Sequence, residues 1–194
     1  MTRRLVLASA SPARLRLLRA AGLDPEVIVS GVDEDGVAAP DTAALATELA
    51  RRKAAAVASV APDAIIVGCD SLLDLDGNVL GKPKDAADAV ARWRSMRGRT
   101  GTLLTGHCVV ADGRLRAAVA ATTVQFGRPT DDEIDAYVAT GEPLAVAGAF
   151  TLDGRSAPFI DGIDGDAGNV IGLSLPLLRT LLAELDIGII DLWQ

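Results

Sequence analysis

Leu7-Ala8-Ser9-Ala10-Ser11-Pro12-Ala13-Arg14, running into Leu15-Arg16-Leu17-Leu18, decides how the chain folds. Val6 and Leu7 close an apolar run with the pattern of a strand, and Leu15, Leu17 and Leu18 open the apolar repeat of a helix. Ser11 is a good N-cap and Pro12 suits the first helical position, so the spacing predicts a strand turning directly into a capped helix. That junction sets free backbone N–H groups and the positive end of a helix dipole beside Ser9, Ser11 and Arg14, a place that suits a phosphate. A capped turn with no ligand accounts for the same residues by themselves, and the rest of the chain must decide between the two.

The 194 residues are enough for one domain with a substantial core. Apolar residues make up 49% and aromatics only 3%, so the core is expected to be built from Ala, Val, Leu and Ile. A net charge of −7 with no basic stripe argues against a nucleic-acid surface, yet a small anion needs only a few local cations. The longest charge-free runs, such as residues 167–178, are too short to cross a bilayer. Arg3 and Arg4 before Leu5-Val6-Leu7 imitate a signal peptide, but the apolar part is short and Arg14 follows closely. The expectation is a cytoplasmic protein, with no membrane association and with Cys69 and Cys108 as buried free thiols.

Along the chain, residues 25–30 read as a short strand and 31–36 as an acidic, solvated turn. A helix over about 41–60 aligns Leu45, Leu49, Lys53, Val57 and Val60 in one stripe. Lys53 therefore sits among apolar neighbours, where an ammonium needs a partner or must snorkel outwards, the commoner outcome. Residues 64–68 read as a buried strand ending at Cys69-Asp70-Ser71, which puts the Asp70 carboxylate at a strand tip. A hairpin over 72–80 returns Lys82 towards Asp70, and residues 85–96 form a helix. Two long strands, 102–111 and 115–126, are joined by Asp112-Gly113, and His107 inside the first reads as a packed strand histidine. Thr130 and Glu133 form a capping box for a helix to about 140. Residues 147–154 and 157–163 suggest another strand pair, 161–169 a glycine-rich acidic loop, and 175–185 a last helix. The pattern is α/β, a mixed twisted sheet flanked by helices with antiparallel hairpins in the middle of the chain.

These pieces resemble the Maf family of nucleoside triphosphate pyrophosphatases nearly end to end. The resemblance rests on Leu7 to Arg14, Glu34, Lys53-Ala54, Gly68-Cys69-Asp70, Gly81-Lys82-Pro83 and Thr105-Gly106. It continues through Glu133-Ile134 with Tyr137, Ala147-Gly148, Gly165-Asp166 and Asn169 to Leu173. It implies one Maf/ITPase-like domain over residues 1–194, with room for two lobes around a central cleft. The implied activity is hydrolysis of a nucleoside triphosphate between its α- and β-phosphates, giving a monophosphate and pyrophosphate with Mg²⁺ or Mn²⁺. Ser9, Ser11 and the helix N-terminus would donate hydrogen bonds to phosphate, and Arg14, Lys53 and Lys82 would supply positive charge. Asp70 matches the family's proposed proton acceptor, and Asp70 or Glu34 would hold the metal through oxygen. A homodimer is compatible with the family.

Base choice follows from the departures. Relatives resembling dTTP/UTP pyrophosphatases carry Arg, Thr and Gln, and those resembling 7-methyl-GTP pyrophosphatases carry Trp, Gln and Glu, where this chain has Ala13, Ser71 and Asp153. Asp153 is a pure acceptor that suits the N–H donors of a guanine-type base, which leans the expectation towards a purine or modified purine, unless it only shapes the turn before Gly154. Two other functions compete with the enzyme. One is a non-catalytic nucleotide-binding regulator of cell division, and the other a phosphohydrolase releasing orthophosphate.

Overall fold

The computed structural model describes residues 3–194. Its strands are β1 (Leu5–Leu7), β2 (Glu26–Val27), β3 (Ile65–Leu75), β4 (Asn78–Leu80), β5 (Thr100–Ala111), β6 (Arg114–Phe126) and β7 (Ile160–Asp164). The helices are α1 (Pro12–Ala20), α2 (Thr42–Ala58), α3 (Ala86–Met96), α4 (Asp131–Ala139), α5 (Ala167–Ile171) and α6 (Leu175–Ala183). The strands form one sheet in the order β2-β1-β3-β5-β6-β7, with β4 paired to β3. β1 runs parallel to both β2 and β3, whereas β4 on β3 and β7 on β6 are antiparallel. The expected mixed sheet flanked by helices is therefore present.

The chain divides into two compact units. Among the described residues, the first comprises those up to Asp70 with 105–120 and 172–194, the second residues 71–104 and 121–171. In the first unit β1 and the first half of β3 are buried on both faces. Leu5, Leu7, Ile65, Val67, Cys69 and Val109 pack with Leu18 of α1 and Leu178, Leu181 and Leu182 of α6. The alternate residues Val6, Ala8, Ile66 and Cys108 pack against Ala50, Ala54 and Val57 of α2. This is the period-two division of a strand's side chains between two layers.

The α2 layer lies unusually close. Its buried stripe is small, with Ala46, Ala50 and Ala54 fully covered, and it faces two glycines. A Cβ on Gly68 would lie 2.6 Å from the Ala50 carbonyl oxygen, and one on Gly106 would lie 2.1 Å from that of Ala46. Backbone cannot swing aside as a side chain can, so Gly106→Ala must push α2 off the sheet. Overpacking of this kind costs about 1–3 kcal/mol or more. At roughly 2–4 °C per kcal/mol for a chain of this size, the melting temperature is expected to fall by about 2–12 °C. A thermal melt checks this, and an unchanged midpoint would contradict the contact.

The second unit departs from the aliphatic expectation. All three phenylalanines, the single tyrosine and one of the two tryptophans collect there. Trp93 of α3 meets Phe126, Tyr137 and Phe159 edge to face, at 5.6 Å for Tyr137, and its indole N–H donates to the Ala149 carbonyl at 2.9 Å. Few aromatics in the whole chain thus still build a local aromatic core.

Other differences have local causes. The helix expected to about 60 ends at Ala58, which leaves Val60 69% exposed and outside the stripe. The first half of the strand pair expected after residue 147 is a tight turn, because Gly148 (φ 67°) and Ala149 (φ 63°) are both left-handed. Its second half is β7, paired to β6, and α5 occupies the end of the expected loop. The Asp112-Gly113 hairpin and the Thr130–Glu133 capping box form as expected.

Candidate active site

β1 stops at Leu7, and the Ala8 N–H still donates to Val67 at 2.8 Å, so Ser9 is the first residue to leave the sheet. Ser11 caps α1 by accepting from the Arg14 N–H, and Pro12 opens the helix. The Ser9 hydroxyl oxygen accepts both from the Ser11 N–H (3.2 Å) and from Arg14 Nη1 (3.0 Å). With its oxygen accepting twice, the Ser9 hydroxyl keeps its own hydrogen available to donate. Arg14 is buried, and its Nε donates to the Gly172 carbonyl at 2.7 Å. Ala13 is half-buried at the second helical position.

Lys53 does not snorkel. It is buried in the α2 layer, where its ammonium is ion-paired with Asp70 and, at 2.7 Å, with Glu34. The close approach of α2 at Gly68 makes this reach possible, because Gly68 and Asp70 project from the same face of β3. Asp70 is not at a strand tip. β3 runs unbroken through it into the hairpin with β4, so the carboxylate stands in mid-strand, in the layer that faces α2. The 31–36 segment is exposed as expected, yet its Glu34 folds back onto Lys53 instead of only facing solvent.

Burial pushes the Asp70 carboxyl above its ordinary value. The neighbouring Lys53 and then Arg14 pull it down, and Glu34 adds a smaller upward push. A carboxylate desolvated yet flanked by cations is poised to accept a proton in a nearly neutral site. The adjacent Cys69 points into the opposite layer, and burial raises its thiol to about 11; Cys108 rises to about 12. Both cysteines are free and inert as nucleophiles.

Asp70 and Glu34 converge on one cation, the Lys53 ammonium, and offer only hard oxygen donors. That donor type fits Mg²⁺ or Mn²⁺. Among the described residues no group of three ligating side chains exists, so substrate oxygens and water would complete the shell. The first unit thus brings together Ser9, Ser11, Arg14, Glu34, Lys53 and Asp70. Lys82, Ser71 and Asp153 belong to the second unit. Lys82 is exposed just beyond β4, Ser71 is half-buried in β3, and Asp153 is exposed, its carboxylate accepting from the Thr151 hydroxyl. Gly172 joins the site through its backbone carbonyl, which no side-chain chemistry announces in the sequence.

A family model described as "Maf-like protein" matches residues 4–185. The chain belongs to the Maf family. Among its Maf relatives, the "Nucleoside triphosphate pyrophosphatase" of Streptomyces coelicolor is 69% identical over 196 residues, covering 98% of this chain and 95% of the relative. The protein of the same name from Streptomyces avermitilis is 66% identical over 195 residues, with the same coverage of each. The structure of the Staphylococcus aureus Ham1 protein aligns with a TM-score of 0.45 at 16% identity, covering 64% of this chain and 72% of the other.

Proposed function

We propose that this Maf protein is a nucleoside triphosphate pyrophosphatase, a hydrolase that splits the α–β anhydride into a nucleoside monophosphate and pyrophosphate. The observation that carries the reading is the buried Lys53 ammonium of α2, held between Glu34 and the Asp70 of β3, the strand paired with β1 that leads into the Ser9–Arg14 cradle. Its relatives' shared name supports the same reaction class.

In this reading Asp70, ionised, takes the proton of a water attacking the α-phosphorus. The bond from that phosphorus to the bridging oxygen breaks, and pyrophosphate departs with the bond's electrons. Lys53 and Arg14 neutralise charge on the phosphate oxygens, while Ser9 and Ser11 donate hydrogen bonds. A divalent metal, held by Asp70 and Glu34, would add further neutralisation of the phosphates. The family resemblance adds Lys82 as another cation and Ala13, Ser71 and Asp153 as the residues that choose the base. Asp153 supports a purine or modified purine through its acceptor-only carboxylate.

The test is product analysis with dTTP, UTP, CTP, GTP, ITP and 7-methyl-GTP in Mg²⁺ or Mn²⁺. Monophosphate plus pyrophosphate, with a purine among the best substrates, is the expected result. Orthophosphate as the product, or binding with no turnover, would overturn the reading; a pyrimidine preference would overturn only the argument from Asp153.

A further inference from the structure

His107 is wholly buried in β5 and takes no part in the chemistry above. Its Nε2 lies 2.8 Å from the Ser174 backbone nitrogen, and its Nδ1 lies 2.9 Å from the Thr105 carbonyl oxygen. A backbone N–H only donates and a carbonyl only accepts, so the proton sits on Nδ1 and Nε2 is the acceptor. The ring is thereby a clamp between β5 and the segment that enters α6.

That segment holds Arg14. Ser174 caps α6 by accepting from the Leu177 N–H, and Leu173 beside it is fully buried. One residue earlier, the Gly172 carbonyl receives the Arg14 Nε–H at 2.7 Å. Gly172 has φ +131°, and a Cβ there would stand 3.2 Å from Arg14 Nε. The segment 172–174 is thus fixed at one end by His107 and presents a carbonyl to the guanidinium at the other. With Nε on Gly172 and Nη1 on Ser9, the plane of the guanidinium is set.

We propose that His107 is a positioning residue, which aims Arg14 at the substrate phosphates by clamping Ser174 and so placing the Gly172 carbonyl. The inference rests on the reading of Arg14 as a phosphate-binding cation.

The test is a double-variant cycle of His107→Phe with Arg14→Ala, read as separate kcat and KM for the best substrate of the panel. Loss of the clamp is expected to raise KM and lower kcat/KM about tenfold, within the range seen for coupled neighbours. His107→Gln, whose amide oxygen can accept from Ser174, should restore most of that loss. In the Arg14→Ala background, His107→Phe should add almost nothing. A merely structural role would instead lower the amount of active enzyme, and so kcat, with KM unchanged. Should His107→Phe fail to fold, His107→Asn replaces it in the cycle, since its shorter amide stays polar but falls short of Ser174. If Arg14→Ala impairs turnover but the histidine effect is the same in both backgrounds, the inference is overturned and the functional reading stands. If Arg14→Ala leaves kcat and KM unchanged, the phosphate role of Arg14 is itself overturned, and the inference with it.

Discussion

Asp70→Asn is expected to lower turnover by about 10²–10⁴-fold, the contribution typical of a positioned proton acceptor, while the protein stays folded. Asparagine has nearly the shape of the carboxyl and still offers Lys53 an oxygen, but it cannot take a proton from water. Stability should hold because the ionised Asp70 is costly to bury. Its folded value lies above the ordinary 3.8, with burial the leading cause. A group shifted upward contributes stability that is fully present below the unfolded value and lost as the pH rises through the folded one. At neutral pH the ionised Asp70 is therefore a burden on the fold, and a neutral amide should melt no lower than the native protein. The same shift places the acid limb of kcat/KM at a higher pH than an unshifted aspartate would give. Glu34→Gln, which removes the negative neighbour that adds to the upward push, should move that limb to lower pH. Near-normal turnover by Asp70→Asn in the product assay would sink the assignment.

Local rules explain why much of this was readable in the amino-acid sequence. Ser11-Pro12 and Thr130 with Glu133 specify helix starts through side chains that satisfy nearby backbone N–H groups, and both caps form. Asp112-Gly113 specifies its hairpin because both residues accept positive φ. The partner of Lys53 was not readable, because Asp70 is 17 residues away and their meeting depends on how closely α2 lies on the sheet. That distance is set by Gly68 and Gly106, residues whose contribution is the absence of a side chain. The apolar run of residues 64–68 gives way to Cys69-Asp70-Ser71, which in sequence looks like a strand tip, whereas β3 continues through Asp70 to Leu75. The hold of Gly172 on Arg14 spans 158 positions and uses backbone alone.

The largest loss of stability is expected from Lys53→Met. The methionine keeps much of the lysine stem's bulk within the α2 layer but removes the ammonium that both Asp70 and Glu34 face. Glu34 is half exposed and can turn to water, whereas the Asp70 side chain is only 9% exposed and cannot. Breaking a buried pair by deleting one partner costs about 3–5 kcal/mol, which for a chain of this size lowers the melting temperature by roughly 6–20 °C. The deficit should depend on pH in a definite direction. Lys53 supplies the main downward pull on Asp70, so without it the folded carboxyl retains its proton to still higher pH. The variant should then approach the native protein in acid and fall behind as the pH rises through that raised value. Adding Asp70→Asn to Lys53→Met removes the orphaned charge and should recover most of the stability while recovering none of the turnover. Melts of the native protein, both single variants and the double variant at an acidic and a neutral pH test each step. A Lys53→Met protein that melts like the native one at neutral pH would mean that Asp70 does not depend on this lysine. The burial of an ammonium beside two carboxylates would then need another explanation than the one that makes it part of the catalytic site.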